Sequence, residues 1–335
     1  MTRVACLGAG RMGRGIAVAF AYAGRQVSLI DIKPRSDAAF AELLAHALAE
    51  IASTLRSLAA VGLFDAAHVD AIAGRVRMVA AADAGPALRE AEVIFEGVPE
   101  IPALKREILA HASRLAGPEP IIASTTSTIL VDDISGAVEH PERFLNAHWL
   151  NPAYLIPLVE VSPGARTDPA VLARLRAILE DVGKKSITCA PSPGYIVPRI
   201  QALAMNEAAR MVGEGVASAA DLDAAIRYGF GLRFAVLGLI EFIDWGGGDI
   251  LHHASRYLTE TLGNDRYAAP PIIAENMAAG KLGLRTGSGF YDYAGTDIDA
   301  YRQERLAGFA TLLRSLALVR PPVLDQVTAN PASLA

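Results

Sequence analysis

The feature that most constrains this chain is a glycine-rich turn at residues 8–13, with the sequence GAGRMG. An apolar segment at residues 4–7 precedes the turn and has the composition of a buried strand. A helix-compatible run at residues 15–23 follows it, and a second apolar strand at residues 26–30 ends at Asp31. This order predicts a strand–turn–helix–strand unit, the first unit of a doubly wound parallel sheet.

Each of the three positions in the turn requires glycine for a different physical reason. Gly8 permits the tight turn, Gly10 lets the backbone approach a pyrophosphate, and Gly13 lets the helix pack closely on the strand. The open N–H groups at the start of the helix, from Arg11 and Met12 onward, favour such an anion, as does the helix dipole. We therefore predict that these five residues bind a dinucleotide; the alternative is a plain structural turn.

Asp31 lies roughly 20 residues into this unit, where dinucleotide-binding folds place the acid that contacts the ribose. A carboxylate at this position accepts from the 2′-hydroxyl of NAD and repels the 2′-phosphate of NADP. Lys33 and Arg35 are close enough in sequence to weaken that repulsion. The sequence therefore predicts NAD as the cofactor and a preference for it over NADP.

Composition narrows the class of protein. The 335 residues are 52% hydrophobic and 20% charged, which is enough for a large core and more than one domain. A net charge of −5 gives no reason to expect nucleic acid or an anionic membrane as a partner, and we expect no membrane-spanning segment. Met1 leads almost directly into the first strand, and Cys6 and Cys189 lie in apolar segments that favour buried thiols. We expect a cytoplasmic protein with a small-molecule partner and no metal.

The rest of the chain predicts two domains. A helical, alanine-rich excursion follows the second strand at residues 36–61. Further strands are predicted at residues 76–79, 93–95, 121–123, 144–149, 158–161 and 185–189. The sequence APSPG at residues 190–194 is typical of a hinge, and the chain beyond it is strongly helical. We predict a Rossmann-type doubly wound sheet at residues 1–190, with the excursion after its second strand, and an all-α domain at residues 191–335.

Two of the predicted strands carry a possible catalytic pair. His148 lies in the strand at 144–149, and Glu160 lies between two valines at 158–161, so its carboxylate needs a partner. From these residues alone two interpretations stay open. One is a satisfied polar pair; the other is a dyad in which Glu160 orients His148 and favours its charged form. Five hydroxyl residues at 124–128 end another strand, where such sheets bind ligands, although a loop or helix cap is the simpler interpretation.

Seven segments together resemble the L-3-hydroxyacyl-CoA dehydrogenase family, over the chain up to about Tyr293. They are GAGRMGRGIA at 8–17, FEGVPE at 95–100, ASTTS at 123–127, HWLNP at 148–152, PLVEV at 157–161, PGYIV at 193–197 and GSGFY at 287–291. The resemblance implies that His148 and Glu160 are the family's catalytic dyad and that Ser127 is its active-site serine. In that role His148 takes the proton of a 3-hydroxyl as hydride leaves for the nicotinamide, and Ser127 hydrogen-bonds the oxygen.

The same resemblance assigns the cofactor contacts and the assembly. Positions that touch NAD in the family fall on Asp31, Glu100, Lys105 and Asn151. The family also implies a homodimer formed through the helical domain, and the apolar positions at residues 199–215 are consistent with one.

Two departures from the family pattern concern the substrate. Pro198 stands where the family has an active-site asparagine, and proline offers neither a side-chain donor nor a backbone N–H. The helical excursion, where the family contacts CoA with basic and hydroxyl groups, contains no Lys or Arg between residues 36 and 54. The resemblance implies a short-chain substrate such as 3-hydroxybutyryl-CoA, and these departures weaken the case for CoA itself.

The sequence leaves three alternatives to this interpretation. The first is a dehydrogenase of a free 3-hydroxy acid or another non-CoA alcohol, as in relatives of the lambda-crystallin type that act on gulonate or carnitine. The second is a catalytically silent crystallin-like protein, against which the intact Ser127, His148 and Glu160 argue. The third is the separate hydroxyacid dehydrogenase family with a lysine base, which the histidine at position 148 excludes.

Overall fold

The computed structural model describes residues 3–320 and residue 322. Its contacts divide the chain into two compact units, Met1–Asn206 and Glu207–Ala335. This division falls inside a helix and lies later in the chain than the hinge predicted at residues 190–194. The two units are described separately below.

The first unit contains one eight-stranded sheet. Its strands are β1 (Arg3–Leu7), β2 (Gln26–Ile30), β3 (Val76–Val79), β4 (Val93–Glu96), β5 (Ile121–Ser124), β6 (Phe144–Trp149), β7 (Leu158–Pro163) and β8 (Lys185–Thr188). They lie in the order β3-β2-β1-β4-β5-β6-β7-β8, and all neighbours are parallel except β6 and β7. The strand order reverses between β1 and β4. Open α/β sheets bind ligands at such a point, beyond the carboxyl ends of the strands.

Helices cover both faces of this sheet. They are α1 (Arg11–Tyr22), α2 (Asp37–Ala60), α3 (Val69–Ala73), α4 (Ala84–Arg89), α5 (Pro102–Ala116), α6 (Val131–Ser135), α7 (Pro169–Asp181) and the start of α8 (Val197–Gly213). One apolar cluster contains residues of α1, α2, α3 and α7, and a second contains residues of α4, α5 and α6. Alternate residues of β1 belong to the two clusters, because successive side chains of a strand point to opposite faces. The predicted Rossmann-type sheet is confirmed.

The excursion after β2 is the long helix α2. Ser36 caps it by accepting from the N–H of Ala39, and Ala47, Ile51 and Leu55 form a buried stripe with a spacing of four residues. In length and composition α2 is the one helix among the described residues that could cross a membrane. The expectation that no segment spans a membrane stays a prediction, because length and composition alone do not distinguish a spanning helix from a core helix. The buried stripe belongs to the apolar cluster that α2 shares with α1 and α3, so the same apolar composition also fits a core helix.

The second unit is helical. After the end of α8 come α9 (Ala219–Ala225), α10 (Leu232–Phe234), α11 (Leu239–Gly246), α12 (Gly248–Leu262), α13 (Pro271–Ala278) and α14 (Ile298–Ser315), with a π-helical turn at Ile226–Gly231. The buried carboxylate of Asp244 accepts from the N–H groups of Phe290 and Tyr291 and from the hydroxyl of Tyr293. This contact fastens the glycine-rich segment to α11. In the described residues, only two isolated β-bridges interrupt the all-α architecture.

Candidate active site

The antiparallel register of β6 and β7 places His148 directly opposite Glu160. The imidazole Nδ1 lies 2.8 Å from Oε2 of the carboxylate, and both side chains are buried. Because an ionised carboxylate can only accept, Nδ1 must donate the hydrogen bond. Nε2 is therefore the nitrogen left to exchange a proton with a substrate. The pairing that both interpretations of the sequence require is therefore present, and the catalytic role of the dyad stays a prediction.

The second oxygen of Glu160 is also satisfied. Its Oε1 accepts from the N–H groups of Ile196 and Val197, at 2.9 and 2.8 Å, where α8 begins. Burial by itself would raise the pKa of Glu160, but the hydrogen bonds from His148, Val197 and Ile196 and the charge of His148 outweigh burial and lower it. The carboxylate is therefore held in the charged form that supports a protonated imidazole.

Tyr195 joins this pair, and sequence reasoning missed it. Its ring stacks on the imidazole of His148, with centroids 4.9 Å apart and planes 6° apart. Its hydroxyl donates to the carbonyl of Thr126 at 2.9 Å and accepts from the side-chain amide of Asn146 at 3.1 Å. The available signal was the tyrosine in the PGYIV segment, at a position where the family pattern has phenylalanine.

Ser127 lies in the loop that follows β5, and Glu100 organises that loop. Oε1 of Glu100 accepts from the N–H groups of Ser127 and Thr128 and from the hydroxyls of Thr126 and Thr128. Burial would raise the pKa of Glu100, but the Thr126 hydrogen bond, the charge of Lys105 and the Thr128 hydrogen bonds lower it. The side chain of Ser127 is exposed at the tip of a loop whose backbone is held in place. Glu100, predicted as a cofactor contact, is thus the residue that shapes the serine loop.

Lys105 is buried beneath the same loop. Its ammonium donates to both oxygens of Glu96, at 2.9 and 3.1 Å, and to the carbonyl of Val98 at 3.2 Å, and it lies 3.4 Å from Glu100. Ser124 donates to Glu96 as well. The structure therefore places Lys105 in a buried ion pair. Its predicted contact with the cofactor stays a prediction.

The glycine turn fits a dinucleotide. Gly8 has φ of +98°, a conformation that favours glycine, and a Cβ on Gly13 would lie 2.0 Å from the carbonyl oxygen of Gly8. Gly10 is the N-cap of α1, has no side-chain cap and has open space around it. Arg11 and Met12 are the first residues of the helix, whose leading N–H groups have no partner within the helix. This turn is shaped for a pyrophosphate, in agreement with the predicted NAD site.

Asp31, the acid predicted to contact the ribose, is buried at the end of β2. The carboxylate of Asp31 accepts from Nε of Arg35 at 2.5 Å and from the N–H of Lys33 at 3.3 Å. Both basic residues also line an adjoining cavity of about 470 Å³ together with His111. The carboxylate of Asp31 therefore shares its charge with an arginine, and its predicted contact with the ribose stays a prediction.

A cavity of about 390 Å³ lies between α1, α2 and the loop after β6. Two predicted cofactor residues, Arg11 and Asn151, line it. Arg14, Glu50 and Thr54 line it as well, and Arg14 is paired with Glu50 at 3.0 Å. Pro198, which replaces the family asparagine, lies in the first turn of α8, where proline is tolerated.

A buried lysine holds the loop that bears Asn151. The ammonium of Lys184 donates to the carbonyls of Ala153 and Ile156, at 2.7 and 2.8 Å, and it lies 5.6 Å from the centre of the Trp149 ring. Burial lowers the pKa of Lys184. Nothing in the sequence around Lys184 distinguished it from its exposed neighbour Lys185.

Comparison with known proteins connects this geometry to a family. Two family descriptions match: "3-hydroxyacyl-CoA dehydrogenase, NAD binding domain" at residues 3–192 and "3-hydroxyacyl-CoA dehydrogenase, C-terminal domain" at residues 194–293. A 5-formyl-3-hydroxy-2-methylpyridine 4-carboxylate 5-dehydrogenase of Mesorhizobium japonicum is 31% identical, over 93% of this chain and 97% of its own. A 3-hydroxybutyryl-CoA dehydrogenase of Bradyrhizobium diazoefficiens is 32% identical, over 88% and 96%. The crystal structure of a 3-hydroxyacyl-CoA dehydrogenase from Archaeoglobus fulgidus superposes with a TM-score of 0.74 at 29% identity, covering 95% of this chain and 100% of that one.

Proposed function

Because this chain belongs to the 3-hydroxyacyl-CoA dehydrogenase family, NAD-dependent oxidoreductases acting on CH–OH groups, we propose that it interconverts a short-chain L-3-hydroxyacyl-CoA and the corresponding 3-oxoacyl-CoA. The observation that carries the proposal is the buried pair of His148 and Glu160, which leaves one imidazole nitrogen for the substrate.

The roles of the residues follow from this geometry. Nε2 of His148 accepts the proton of the 3-hydroxyl during oxidation and returns it during reduction. Glu160 holds Nδ1 and stabilises the positive charge that the ring gains. The hydroxyl of Ser127 hydrogen-bonds the substrate oxygen from a loop held by Glu100. NAD, bound on the glycine turn, supplies the hydride acceptor. The protein thus contributes orientation and a proton acceptor.

A substrate panel tests the proposal. The chain is assayed with NAD against 3-hydroxyacyl-CoA esters of increasing length and against the matching free 3-hydroxy acids. We expect the highest kcat/KM with a four-carbon CoA ester. Turnover of a free acid with no CoA ester accepted would contradict the acyl-CoA assignment and leave the reaction type intact.

A specific observation favours a second candidate, the oxidation of a small substrate without CoA. The only ionisable group that α2 contributes to the lining of the 390 Å³ cavity is the acid Glu50, which pairs with Arg14. By pairing with Arg14, the carboxylate of Glu50 reduces the positive charge that this arginine could offer to the phosphates of CoA. The relative from Mesorhizobium japonicum is named for a pyridine carboxylate, and a small carboxylate substrate here is consistent with that name.

Two substitutions separate the candidates. Glu50→Gln removes the carboxylate that opposes phosphates, and Pro198→Asn restores the side chain of the family. If the substrate is an acyl-CoA held weakly, acetoacetyl-CoA reduction should improve several-fold in each variant, about the value of one hydrogen bond. A wild-type Michaelis constant already in the micromolar range, with no gain from either change, would show that CoA is bound well without them.

We also propose a cytoplasmic homodimer. Along α8 the apolar side chains of Ile200, Leu203, Met205 and Val212 are all exposed in the single chain. Exposed apolar side chains on more than one face of this helix are consistent with a subunit interface. Sedimentation analysis at micromolar concentration should give twice the mass of one chain, and a monomer would count against the interface.

A further inference from the structure

The side chain of Tyr195 contacts both elements to which the proposed function assigns catalytic roles. Its ring covers the imidazole of His148, and its hydroxyl holds the carbonyl of Thr126, the residue before Ser127. The residue is buried and has φ of +47°, a conformation uncommon for residues other than glycine. Such a conformation persists where the surroundings enforce it.

The strand beneath explains how one ring reaches both elements. Asn146 and His148 are two residues apart on β6, so their side chains point to the same face of the sheet. Tyr195 lies along that face, with its ring on His148 and its hydroxyl on the amide of Asn146. The same amide group donates to the carbonyl of Ile129 at 3.0 Å. The serine loop is therefore tied to β6 at two points, Thr126 and Ile129.

The backbone beside Tyr195 completes the arrangement. The next two residues, Ile196 and Val197, donate their N–H groups to Glu160. The turn at residues 194–197 therefore contacts both members of the dyad: the ring of Tyr195 lies on the face of the His148 imidazole, and two backbone N–H groups bind Oε1 of Glu160. Displacing the ring of Tyr195 would disturb the orientation of both members of the dyad.

We propose that Tyr195 is a positioning residue for the reaction assigned to His148, and this inference rests on that proposed function. Its ring fixes the plane of the imidazole and favours the protonated state through the aromatic face. Its hydroxyl fixes the loop that carries Ser127. A phenylalanine at this position could stack in the same way but could not bind Asn146 or Thr126.

The charged and titratable groups around the imidazole must be considered in any pH test. Glu160 faces it from β7, Cys189 follows β8 and interacts with Glu160, and Glu100 acts on Tyr195 from the loop before α5. Burial is the largest cause that raises the pKa of the Tyr195 phenol well above its ordinary value. The phenol is therefore neutral throughout the range in which a histidine titrates, so it acts by contact and not by its own charge.

Two variants separate the ring from the hydroxyl. Tyr195→Phe removes only the hydroxyl, and Tyr195→Leu also removes the aromatic face; both keep a Cβ, so the backbone strain at this position is the same in each. Tyr22→Phe is the matched control, because Tyr22 is exposed and its hydroxyl makes only a 3.4 Å contact to Leu63. His148→Gln identifies the His148 signal among the seven histidines in NMR spectra.

The first readout is the NMR titration of His148, which needs no substrate. We expect Tyr195→Leu to lower the titration midpoint by about 0.5 to 1 pH unit, the size of a cation–π contact. Tyr195→Phe and Tyr22→Phe should leave the midpoint in place. A midpoint in Tyr195→Leu equal to that of the wild type would show that the ring only fills space, and would overturn this half of the inference.

The second readout concerns the hydroxyl. Tyr195→Phe should speed hydrogen exchange at the amides of Ser127 and Thr128, and should lower kcat by about 3- to 10-fold with little change in the KM for NAD. Unchanged exchange together with unchanged kcat would overturn the role of the hydroxyl. Near-normal turnover in His148→Ala, with the titration and exchange effects present, would refute the proposed function while leaving the contacts of Tyr195 established.

Discussion

Two regions of the first unit differ in how completely their polar groups are paired. In the cluster of His148, Glu160 and Tyr195, both carboxylate oxygens and the hydroxyl have hydrogen-bond partners, and all three side chains are buried. In the 390 Å³ cavity beside α2, Arg11 and Asn151 are exposed, and one ion pair, Arg14–Glu50, is half open to solvent.

This difference separates the reaction from its specificity. A buried cluster whose carboxylate, hydroxyl and imidazole Nδ1 are all paired tolerates little change, because each removed partner leaves a buried polar group unsatisfied. An open cavity can exchange its side chains at small cost, because water replaces the lost partners. If the proposed function is right, we expect changes in the cluster to affect the reaction itself and changes in the cavity to affect the choice of substrate. Relatives of this chain named for different substrates are consistent with that separation.

The largest expected effect is at the centre of the cluster. His148→Ala should lower kcat by roughly 100- to 10,000-fold, because a positioned acid–base group contributes about that much. NAD affinity, measured by fluorescence titration, should remain close to the wild-type value. Near-normal turnover would mean that the cluster is not where the proton is transferred.

Glu160→Gln should lower kcat by more than about tenfold and move the acidic limb of the pH–rate profile to lower pH, because the imidazolium loses its counter-charge. Because the pKa of Glu160 is lowered in the folded protein, its effect on the free energy of unfolding depends on pH. Its stabilising contribution is present above the ordinary carboxyl range and is lost as pH falls through the lowered folded-state pKa. Unfolding free energies of wild type and variant should therefore converge towards low pH; a constant difference would contradict the ion pair.

The cofactor side offers a smaller effect. The wild type should prefer NAD to NADP, and Asp31→Ala should reduce the ratio of the two kcat/KM values by about tenfold, the value of a hydrogen bond to a charged group. Arg35→Ala is the opposing control. It removes the cation that shares the Asp31 charge, so the ratio of kcat/KM with NAD to kcat/KM with NADP should rise. A wild type with higher kcat/KM for NADP would refute the assignment of Asp31.

The smallest effect should come from the loop that borders the cavity. Lys184→Met removes two hydrogen bonds to the loop of Asn151, so the KM for NAD should rise by about three- to tenfold with a smaller change in kcat. Lys185→Met, at the exposed neighbouring position, should have no such effect. Equal KM values for NAD in the two variants would show that the hydrogen bonds of Lys184 do not position the loop.

Much of the fold was predictable because it depends on local pattern. The apolar runs at residues 76–79 and 144–149 became β3 and β6, and the predicted excursion became α2. The cap at Ser218 was also predictable, since its hydroxyl accepts from the N–H of Asp221, three residues along. Short helices such as α6 and the π-helical turn at Ile226–Gly231 were not foreseen, because their stability comes from packing and not from a repeating apolar pattern.

The sequence by itself determined the glycine turn, the acid after β2 and the presence of a histidine and a glutamate on neighbouring strands, because each depends on residue type and short spacing. Only the tertiary structure decided that His148 faces Glu160, that Tyr195 lies on the imidazole and that Glu100 holds the Ser127 loop. Glu160 lies 12 positions and Tyr195 lies 47 positions from His148 in the sequence. The register of the sheet and the path of its loops bring these residues together. A one-residue shift in the pairing of β6 and β7 would leave the sequence unchanged and turn Glu160 away from the histidine.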